Sequence, residues 1–358
     1  MDVDFLIIGG GIAGVSAAAR LSLLGSVLLL EAETNLAYHA SGRSAAFYEP
    51  TYGAPPVVAL SMASGAYLHE AANILSKRGM MIVGTETEEL AFRAAAEHQE
   101  LPIVTLDQAR AVVPILNPAM VRYAAWGEHG WDIDTDLLLQ GFVRMAKSRG
   151  AQIRTGARVS KIARIGKGWQ VSCNIGTFTA GTLVNAAGPW VDAVASMAGI
   201  APLGFQPLRR SMARIPAPGG HDISSWPMLM STGETWYAKP DAGALMVSAA
   251  EEHLMEPHDA FADDIVLAEG LARYEAMVTE PVTRLLANWA GLRTFAPDRV
   301  LVIGRDVAEP SFFWLAGQGG YGFQSSPAAS QLAADLIGGQ ASDLGADLVA
   351  ALSPARFG

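Results

Sequence analysis

Three glycines near the start of the chain have the spacing of a phosphate-binding turn. Gly9, Gly11 and Gly14 form a GxGxxG motif between the apolar run 5–8 and an amphipathic helix. In this pattern the first glycine permits a tight turn, the second lets the backbone approach a pyrophosphate, and the third lets the helix pack closely on the sheet. Free N–H groups at the helix N-terminus then face the phosphates. The motif predicts a dinucleotide site.

A carboxylate completes this unit. Glu31 ends the next apolar strand, about 20 residues after the glycines, where it can accept both hydroxyls of an adenosine ribose. The following stretch, TNLAYHASGRSAAFYEPTYG, is small and polar and has no strand period. A nicotinamide dehydrogenase would continue with another βα unit here, so the sequence favours a flavin whose extended body passes a loop.

The composition is that of a large globular enzyme with an acidic surface. The 358 residues are 51% hydrophobic, and 35 acidic residues outnumber 25 basic ones to give a net charge of -10. We see no basic tract and expect no nucleic-acid partner. The N-terminal residues are acidic and no apolar run reaches 18 residues, so we expect a cytoplasmic protein without a transmembrane segment. The single cysteine, Cys173, excludes an internal disulfide and is interpreted as a structural thiol; we expect no metal site.

Periodicity and turn residues predict an alternation of helices and strands. We expect helices over 57–78, 87–98, 134–149, 263–277 and 325–337. Strands are predicted at 80–83, 158–165, 168–175, 177–180, 183–185, 300–303 and 312–316. Alternating residues between 205 and 255 predict an antiparallel sheet with a turn at 241–243.

Several separated motifs together resemble one family. GGGIAG with Glu31, YHASGRSAA, NAAGPWVDAVA, GLRTFAPD and GQGGYGFQSSPA are similar to segments of the FAD-dependent D-amino acid oxidase and dehydrogenase family, which shares its fold with glycine and sarcosine oxidases. Within it the chain most resembles bacterial D-arginine dehydrogenases. The resemblance runs nearly end to end. It implies FAD and the oxidation of a D-amino acid to its imino acid by hydride transfer to the flavin.

The resemblance also implies the fold class and the domain organisation. We expect an α/β protein with a Rossmann-like FAD-binding domain interleaved with an α+β substrate domain built on an antiparallel sheet. The FAD-binding domain is assigned to 1–78, 134–200 and 290–358, and the substrate domain to 79–133 and 201–289.

Cofactor contacts are expected from the glycine turn, the small-residue loop and the later glycine run. They are Gly9, Gly11, Ile12, Ala13, Gly14, Glu31, Ala32, Gly42, Arg43, Ser44, Ala45, Ala46, Val159, Ala187, Gly188, Trp190, Gly291, Gly319, Tyr321, Gly322, Phe323 and Gln324.

Substrate contacts follow from the same family motifs. Arg293 is expected to anchor the substrate carboxylate, because a planar guanidinium binds a carboxylate through two parallel hydrogen bonds. Arg210 is the second substrate-side arginine, and its neighbour Arg209 must face the other way if the segment is a strand. The remaining expected catalytic contacts are Tyr237, Tyr52, the Gly320 carbonyl and Gln324.

His39 raises the question of a covalent flavin. HASG resembles the HAAG segment of dimethylglycine and sarcosine dehydrogenases, in which the histidine holds the flavin covalently. The more similar relatives bind FAD noncovalently, and Cys173 lies in the wrong segment to be a tether. We therefore expect noncovalent FAD.

The substrate side chain is expected to be apolar or uncharged. Counting through the helix after Tyr52, the glutamate of D-arginine dehydrogenases falls at Gly79, and their nearby histidine is replaced by Phe47. Met230 and Met80 add apolar lining. A buried guanidinium without a carboxylate is costly. Glu49 is the open alternative as a substitute acid, but we interpret it as an exposed loop carboxylate.

Two other functions remain open. One is a secondary-amine oxidase for sarcosine-like or proline-like substrates. The other is a flavin subunit of a membrane-associated electron-transfer complex. The electron acceptor is equally open between oxygen, a quinone and a carrier protein.

Overall fold

A computed structural model describes residues 2–358, which form twenty strands and ten α-helices. The strands are β1 Asp2–Ile8, β2 Val27–Leu30, β3 Phe47–Tyr48, β4 Leu75–Lys77, β5 Met80–Gly84, β6 Ile103–Val104, β7 Tyr123–Gly127, β8 Trp131–Ile133, β9 Gln152–Arg154, β10 Val159–Ile165, β11 Gly168–Cys173, β12 Gly176–Asn185, β13 Gln206–Pro216, β14 Met228–Ser231, β15 Tyr237–Asp241, β16 Ala244–Ser248, β17 His253–Leu254, β18 Ala287–Phe295, β19 Val302–Arg305 and β20 Phe312–Ala316. The helices are α1 Ile12–Leu21, α2 Pro55–Ala63, α3 Gly65–Glu70, α4 Glu89–His98, α5 Leu106–Val112, α6 Thr135–Ser148, α7 Val191–Met197, α8 Asp264–Ala276, α9 Gly322–Gly338 and α10 Ala346–Leu352.

One sheet of eight strands carries the glycine turn. Its order is β10-β11-β12-β1-β2-β9, and β20 pairs with β12 and β19. β1 pairs in parallel with both β2 and β12, and α1 makes the crossover from β1 to β2. All four residues of β2 are buried, as expected of a parallel strand covered on both faces. The Rossmann-like part of the predicted fold is confirmed.

A second sheet of nine strands covers the substrate side. Its order is β17-β13-β16-β15-β14-β5-β7-β6, with β18 beside β13. All pairs are antiparallel except β14 with β5. The predicted antiparallel sheet is therefore present. Because β18 pairs with β13 over nine residues, we propose that the third FAD-binding segment begins after Phe295 rather than at 290.

A small third sheet, β3-β8-β4, is joined to the nine-stranded sheet by ion pairs between one buried and two half-buried side chains. Asp132 in β8 accepts a hydrogen bond from Lys239 Nζ in β15 at 2.7 Å and from Arg78 Nε at 2.8 Å. Lys239 is only 5% exposed. This arrangement fixes β3, and with it the start of the substrate pocket.

The single helix predicted over 57–78 is wrong. The chain forms α2 from Pro55, turns at Ser64 into α3, passes through a left-handed Asn73 with φ of 64°, and enters β4. β4 forms because its partner β8 is supplied from more than 50 residues away, which local periodicity does not reveal. Among residues 2–358, every helix is too short or too polar to cross a bilayer.

Candidate active site

Of the glycines in the turn between β1 and α1, Gly11 is the least crowded. A Cβ on Gly9, whose φ is 110°, would lie 2.2 Å from the Ala186 carbonyl oxygen, and one on Gly14 would lie 1.9 Å from the Gly9 oxygen. At Gly11 the same atom would meet only Ser41 Oγ, at 3.1 Å. Gly9 and Gly14 thus serve backbone packing, while Gly11 keeps the backbone accessible to a phosphate group.

Glu31 lies at the end of β2 beside this turn. Its Oε2 accepts a hydrogen bond from Gly10 N at 2.5 Å, and its Oε1 accepts one from Glu33 N at 2.8 Å. A cavity of about 210 Å³ adjoins the carboxylate. Among the predicted cofactor contacts, its lining contains Gly9, Gly11, Glu31, Ala32, Val159, Ala187, Gly188 and Trp190.

A second cavity of about 120 Å³ shares Gly11 and Gly188 with the first and extends to the face of β13 and β18. The predicted cofactor contacts in its lining are Gly11, Ile12, Ala13, Arg43, Ser44, Ala45, Gly188, Gly291, Gly319, Gly322, Phe323 and Gln324. The two cavities make one cleft from Glu31 to the nine-stranded sheet. Its lining, which includes the Glu31 carboxylate, the glycine turn and the later glycine run, fits an extended dinucleotide such as FAD.

Four predicted cofactor contacts lie outside both cavities, and the first is Gly14, which packs against the backbone of Gly9. A Cβ on Gly42 would lie 2.4 Å from the Ala37 oxygen, so this glycine serves packing. Tyr321 precedes α9 and packs on Tyr52, with 5.4 Å between ring centroids. Ala46, with φ of 56°, lines the neighbouring substrate cavity instead.

Arg43 also has a structural role. Its Nη1 donates to the carbonyls of Ala260 at 2.7 Å and Ala290 at 2.8 Å, and its Nη2 pairs with Asp259. The hydrogen bond from Arg43 holds the pKa of Asp259 below its usual value. The guanidinium is therefore engaged in holding loop 259–260 against β18.

Arg293 points into the cleft without an acidic partner. Its Nη2 donates to Tyr237 Oη at 3.3 Å, and a Cβ on Gly320 would lie 3.1 Å from its Nη1. Within residues 2–358 no carboxylate approaches the Arg293 guanidinium within 4.0 Å. Burial opposes its charge, but the negative charge of the surrounding acidic groups, the tyrosines Tyr237, Tyr52 and Tyr321 when ionised and Glu252, outweighs this effect and raises the pKa of Arg293. A permanent positive charge is thus available to an anion in the cleft.

Arg210 occupies the same face of the sheet but is already paired. In the register of β13 and β18 it lies opposite Gly291, two residues from Arg293 along β18 and therefore on the same face. Its Nη2 donates to Glu252 Oε1 at 3.1 Å, and burial together with Arg293 lowers the pKa of Arg210. Arg209 faces the opposite side, near Glu251 at 3.7 Å, as strand alternation requires.

The two predicted tyrosines, Tyr237 and Tyr52, have different hydrogen-bond partners near Arg293. Tyr237 lies beneath both arginines and contacts Met212 Sδ at 3.4 Å. Burial alone would raise the pKa of Tyr237, but Arg293 and Arg210 lower it. Tyr52 donates to Glu234 Oε2 at 3.0 Å, and burial raises its pKa.

Gln324 lines the cleft, but its amide is engaged by the protein. Its Nε2 donates to Ser61 Oγ at 2.9 Å, and its Oε1 accepts from Glu49 N at 3.2 Å. Because both ends of the amide are occupied, Gln324 positions the loop that carries Glu49.

A third cavity, of about 60 Å³, continues from Arg293 and Tyr237 and is named the side-chain pocket because Phe47, Glu49 and Met230, three of the four residues predicted for that pocket, line it. Its apolar walls are Phe47, Met80, Met228 and Met230. The expectation that Gly79 faces this pocket is wrong. Gly79 has φ of 76° in the turn between β4 and β5, where its N donates to the Gly130 oxygen at 3.0 Å. A side chain here would meet the Gly127 carbonyl, 2.9 Å from its Cβ.

Glu49 is buried in the side-chain pocket, so its interpretation as an exposed loop carboxylate is also wrong. It is only 3% exposed, and its Oε1 accepts from Thr51 N at 3.0 Å and Thr51 Oγ1 at 2.7 Å. The loop folds inward because Gln324 binds its backbone. The pocket therefore contains a carboxylate. A cationic substrate side chain would not be buried there without a counter-charge, contrary to the expectation from the sequence.

Sequence reasoning missed several other groups around this pocket. Gln99, at the end of α4, and Met228, at the start of β14, contribute to its lining. Glu252, which pairs with Arg210, was also not anticipated. A polar residue just after a helix gives no local signal of burial, so Gln99 could not have been recognised.

His39 lies in the first cavity, not beside Arg210, Tyr237 and Arg293. Its Nε2 lies 3.2 Å from Glu33 Oε1, and its ring packs 4.7 Å from that of Trp190. Cys173 is half-buried in β11, opposite Gly176. Within the described residues, no group of three His, Cys, Asp or Glu side chains could hold a metal ion.

Comparison with known proteins identifies the family. The DAO family profile, described as FAD dependent oxidoreductase, matches residues 4–336. The chain is 28% identical over 384 residues to the tRNA 5-methylaminomethyl-2-thiouridine biosynthesis bifunctional protein MnmC of Thiobacillus denitrificans, covering 98% of the chain but only 59% of that protein. In fold it is similar to L-proline dehydrogenase from P. horikoshii (TM-score 0.84, 22% identity, covering 99% and 98% of the two chains). It is also similar to glycine oxidase from Geobacillus kaustophilus (TM-score 0.83, 21% identity, 98% of each chain). The chain thus belongs to the DAO family of FAD-dependent oxidoreductases.

Proposed function

We propose that this enzyme oxidises an α-amino acid, of the D configuration, to its imino acid. The observation that carries this proposal is Arg293, a charged guanidinium in the cleft with no acidic partner among residues 2–358. An α-carboxylate matches its fork geometry. Arg210 already donates to Glu252, a carboxylate that it shares with Arg299, whereas Arg293 has no carboxylate partner and is therefore the anchor in this proposal.

The residues act by binding and orienting the substrate. Arg293 holds the carboxylate, Tyr237 beside it supplies a further hydrogen bond, and Gly320 brings backbone close to the same point. FAD held by the first two cavities would supply the hydride acceptor for the α-carbon that these residues position. Such positioning alone can lower the barrier by several kcal/mol, so no covalent nucleophile is required. The lining of the first two cavities holds the cofactor noncovalently in this proposal.

The D configuration is supported by the resemblance to D-arginine dehydrogenases, as is the assignment of the tyrosines. The cytoplasmic location remains a prediction from sequence. The MnmC relatives are named for tRNA modification, but the net charge of -10 disfavours an RNA substrate for this chain.

A secondary-amine oxidase is the second candidate. The fold is shared with L-proline dehydrogenase, and another protein of similar fold is iminodiacetate oxidase from Chelativorans sp. BNC1. Arg293 would bind the carboxylate of such a substrate in the same way, since the anchor does not contact nitrogen.

Anaerobic mixing of the FAD-loaded enzyme with amino acids tests these proposals. Loss of the oxidised flavin absorbance reports hydride transfer whatever the electron acceptor. We expect D-amino acids to reduce the flavin faster than their L-enantiomers and than sarcosine. Faster reduction by L-proline or sarcosine would favour the second candidate instead. No reduction by any amino acid would contradict the proposal, and the flavin-subunit alternative would then lead.

A further inference from the structure

The lining of the side-chain pocket contains buried acceptors without partners among the described residues. Glu49 Oε2 and Gln99 Oε1 make no hydrogen bond to any described residue, although Glu49 is 3% and Gln99 5% exposed. An unsatisfied buried acceptor typically costs about 1–3 kcal/mol, and more when it is charged. Because two such acceptors line one pocket of about 60 Å³, a ligand that carries hydrogen-bond donors would be stabilised there.

The Glu49 carboxylate is held with one oxygen free to face the pocket. Both hydrogen bonds from Thr51 go to Oε1, which fixes the orientation of the group. His129 Nε2 is 3.7 Å from Oε2, too far for a hydrogen bond, and is itself unpartnered. The protein therefore does not satisfy Oε2 internally.

The pocket lining combines three kinds of group. Arg293 and Tyr237, the methionines, and the oxygen acceptors Glu49 and Gln99 all face it, together with Glu234, which already accepts a hydrogen bond from Tyr52. A cation, apolar walls and free acceptors in one pocket are complementary to an amino acid with an apolar stem and a nitrogen at its tip.

We infer that the preferred substrate has a side chain that ends in N–H donors, received by Glu49 Oε2 and Gln99 Oε1. This inference rests on the proposed function, because it assumes that Arg293 binds the α-carboxylate. A hydrocarbon side chain would leave both acceptors unpaired, and an acidic one would face a like charge at Glu49. An ammonium or an amide would satisfy them.

The test compares side chains of similar length that differ at the tip. Anaerobic stopped-flow rates of flavin reduction are measured for D-lysine, D-glutamine, D-methionine and D-glutamate. The proteins are wild type, Glu49→Gln, Gln99→Leu and a control, Glu269→Gln, which alters an exposed carboxylate on α8.

We expect wild type to be reduced faster by D-lysine and D-glutamine than by D-methionine, and slowest by D-glutamate. Glu49→Gln should lower kcat/KM for D-lysine by about tenfold or more, the size of a lost hydrogen bond to a charged group, and leave D-methionine within about twofold. Gln99→Leu should reduce the preference for both nitrogen-tipped substrates. A larger effect of Glu49→Gln on D-lysine than on D-glutamine would identify the cation as the better ligand.

Two results would overturn the inference while leaving the proposed function intact. One is a wild type that prefers D-methionine to both nitrogen-tipped substrates. The other is an equal loss for all substrates in Glu49→Gln, which would show that Glu49 acts only on its own loop through Thr51. A wild type that no amino acid reduces would overturn the proposed function and this inference together.

Discussion

Tyr237 lies under two arginines: its hydroxyl accepts a hydrogen bond from Arg293 at 3.3 Å, and the Arg210 guanidinium carbon lies 5.9 Å from its ring centre. The nine-stranded sheet brings these residues together, since Arg210 and Arg293 occupy neighbouring positions of β13 and β18 and Tyr237 begins β15. Burial raises the pKa of Tyr237, and the two cations more than reverse this effect.

The first prediction concerns pH. Because the pKa of Tyr237 is lowered from its ordinary value of 10.0, the hydroxyl ionises earlier than a free tyrosine as pH rises. The phenolate would then pair with Arg293 and compete with the substrate carboxylate. We expect kcat/KM to fall on the alkaline side below pH 10, and Tyr237→Phe to abolish this fall. Tyr123→Phe, at the surface of β7, is the control; an unchanged alkaline limb in Tyr237→Phe would assign it to another group.

The second prediction distinguishes the packing role of Gly14 from the FAD-binding role of Gly11. Gly14→Ala places a Cβ 1.9 Å from a backbone oxygen, and overpacking of this kind typically destabilises by about 1–3 kcal/mol. Gly11→Ala meets only Ser41 Oγ, at 3.1 Å, which can be relieved by a small shift of that side chain, so its unfolding midpoint without FAD should fall by much less than that of Gly14→Ala. Its FAD affinity should nevertheless fall by about tenfold or more, or about 1.4 kcal/mol. Thermal unfolding and FAD titration measure the two effects. Equal FAD affinity in Gly11→Ala and wild type would mean that the phosphates lie elsewhere.

The third prediction concerns FAD recognition and release. Glu31→Ala removes the acceptor for two ribose hydroxyls, and a hydrogen bond to a charged group is worth about 1.5–3 kcal/mol, so the dissociation constant for FAD should rise by about tenfold or more. His39→Ala should retain releasable FAD. Acid precipitation of wild type should leave the yellow colour in the supernatant. Colour that stays in the wild-type pellet but not in the His39→Ala pellet would show a covalent bond.

The fourth prediction concerns the small sheet. Asp132→Asn removes the counter-charge of both Lys239 and Arg78, and breaking a buried pair typically costs about 3–5 kcal/mol. Urea unfolding should show a loss of this size. Asp343→Asn, an exposed substitution, is the control. A variant as stable as wild type would mean that the two cations are satisfied without Asp132.

The dinucleotide unit could be predicted because its pattern is local. A strand, three glycines, a helix and Glu31 lie within 31 residues, and each has a direct signal in composition or spacing. The opposite orientations of Arg209 and Arg210 could be predicted for the same reason, because adjacent residues of a strand face opposite sides of the sheet.

The side-chain pocket could not be predicted, because its residues are placed by distant partners. The prediction for Gly79 assumes one continuous helix over 57–78. The helix is interrupted at Ser64, and the chain turns through a left-handed Asn73, so Gly79 does not reach the pocket. Glu49 is drawn inward by Gln324, 275 residues further along the chain. A contact of that separation leaves no trace in local periodicity.

The most direct test of the account asks whether Arg293 recognises the substrate carboxylate. Flavin reduction is measured anaerobically for a D-amino acid and for the amine that lacks its carboxylate, in wild type, Arg293→Met and the exposed control Arg284→Met, with bound FAD verified from the visible spectrum. Loss of one partner of a desolvated ion pair typically costs about 3–5 kcal/mol, so wild type and Arg284→Met should prefer the acid by about two orders of magnitude or more. In Arg293→Met this preference should collapse to near unity. An Arg293→Met enzyme that binds FAD and still prefers the acid as strongly as wild type does would contradict the account.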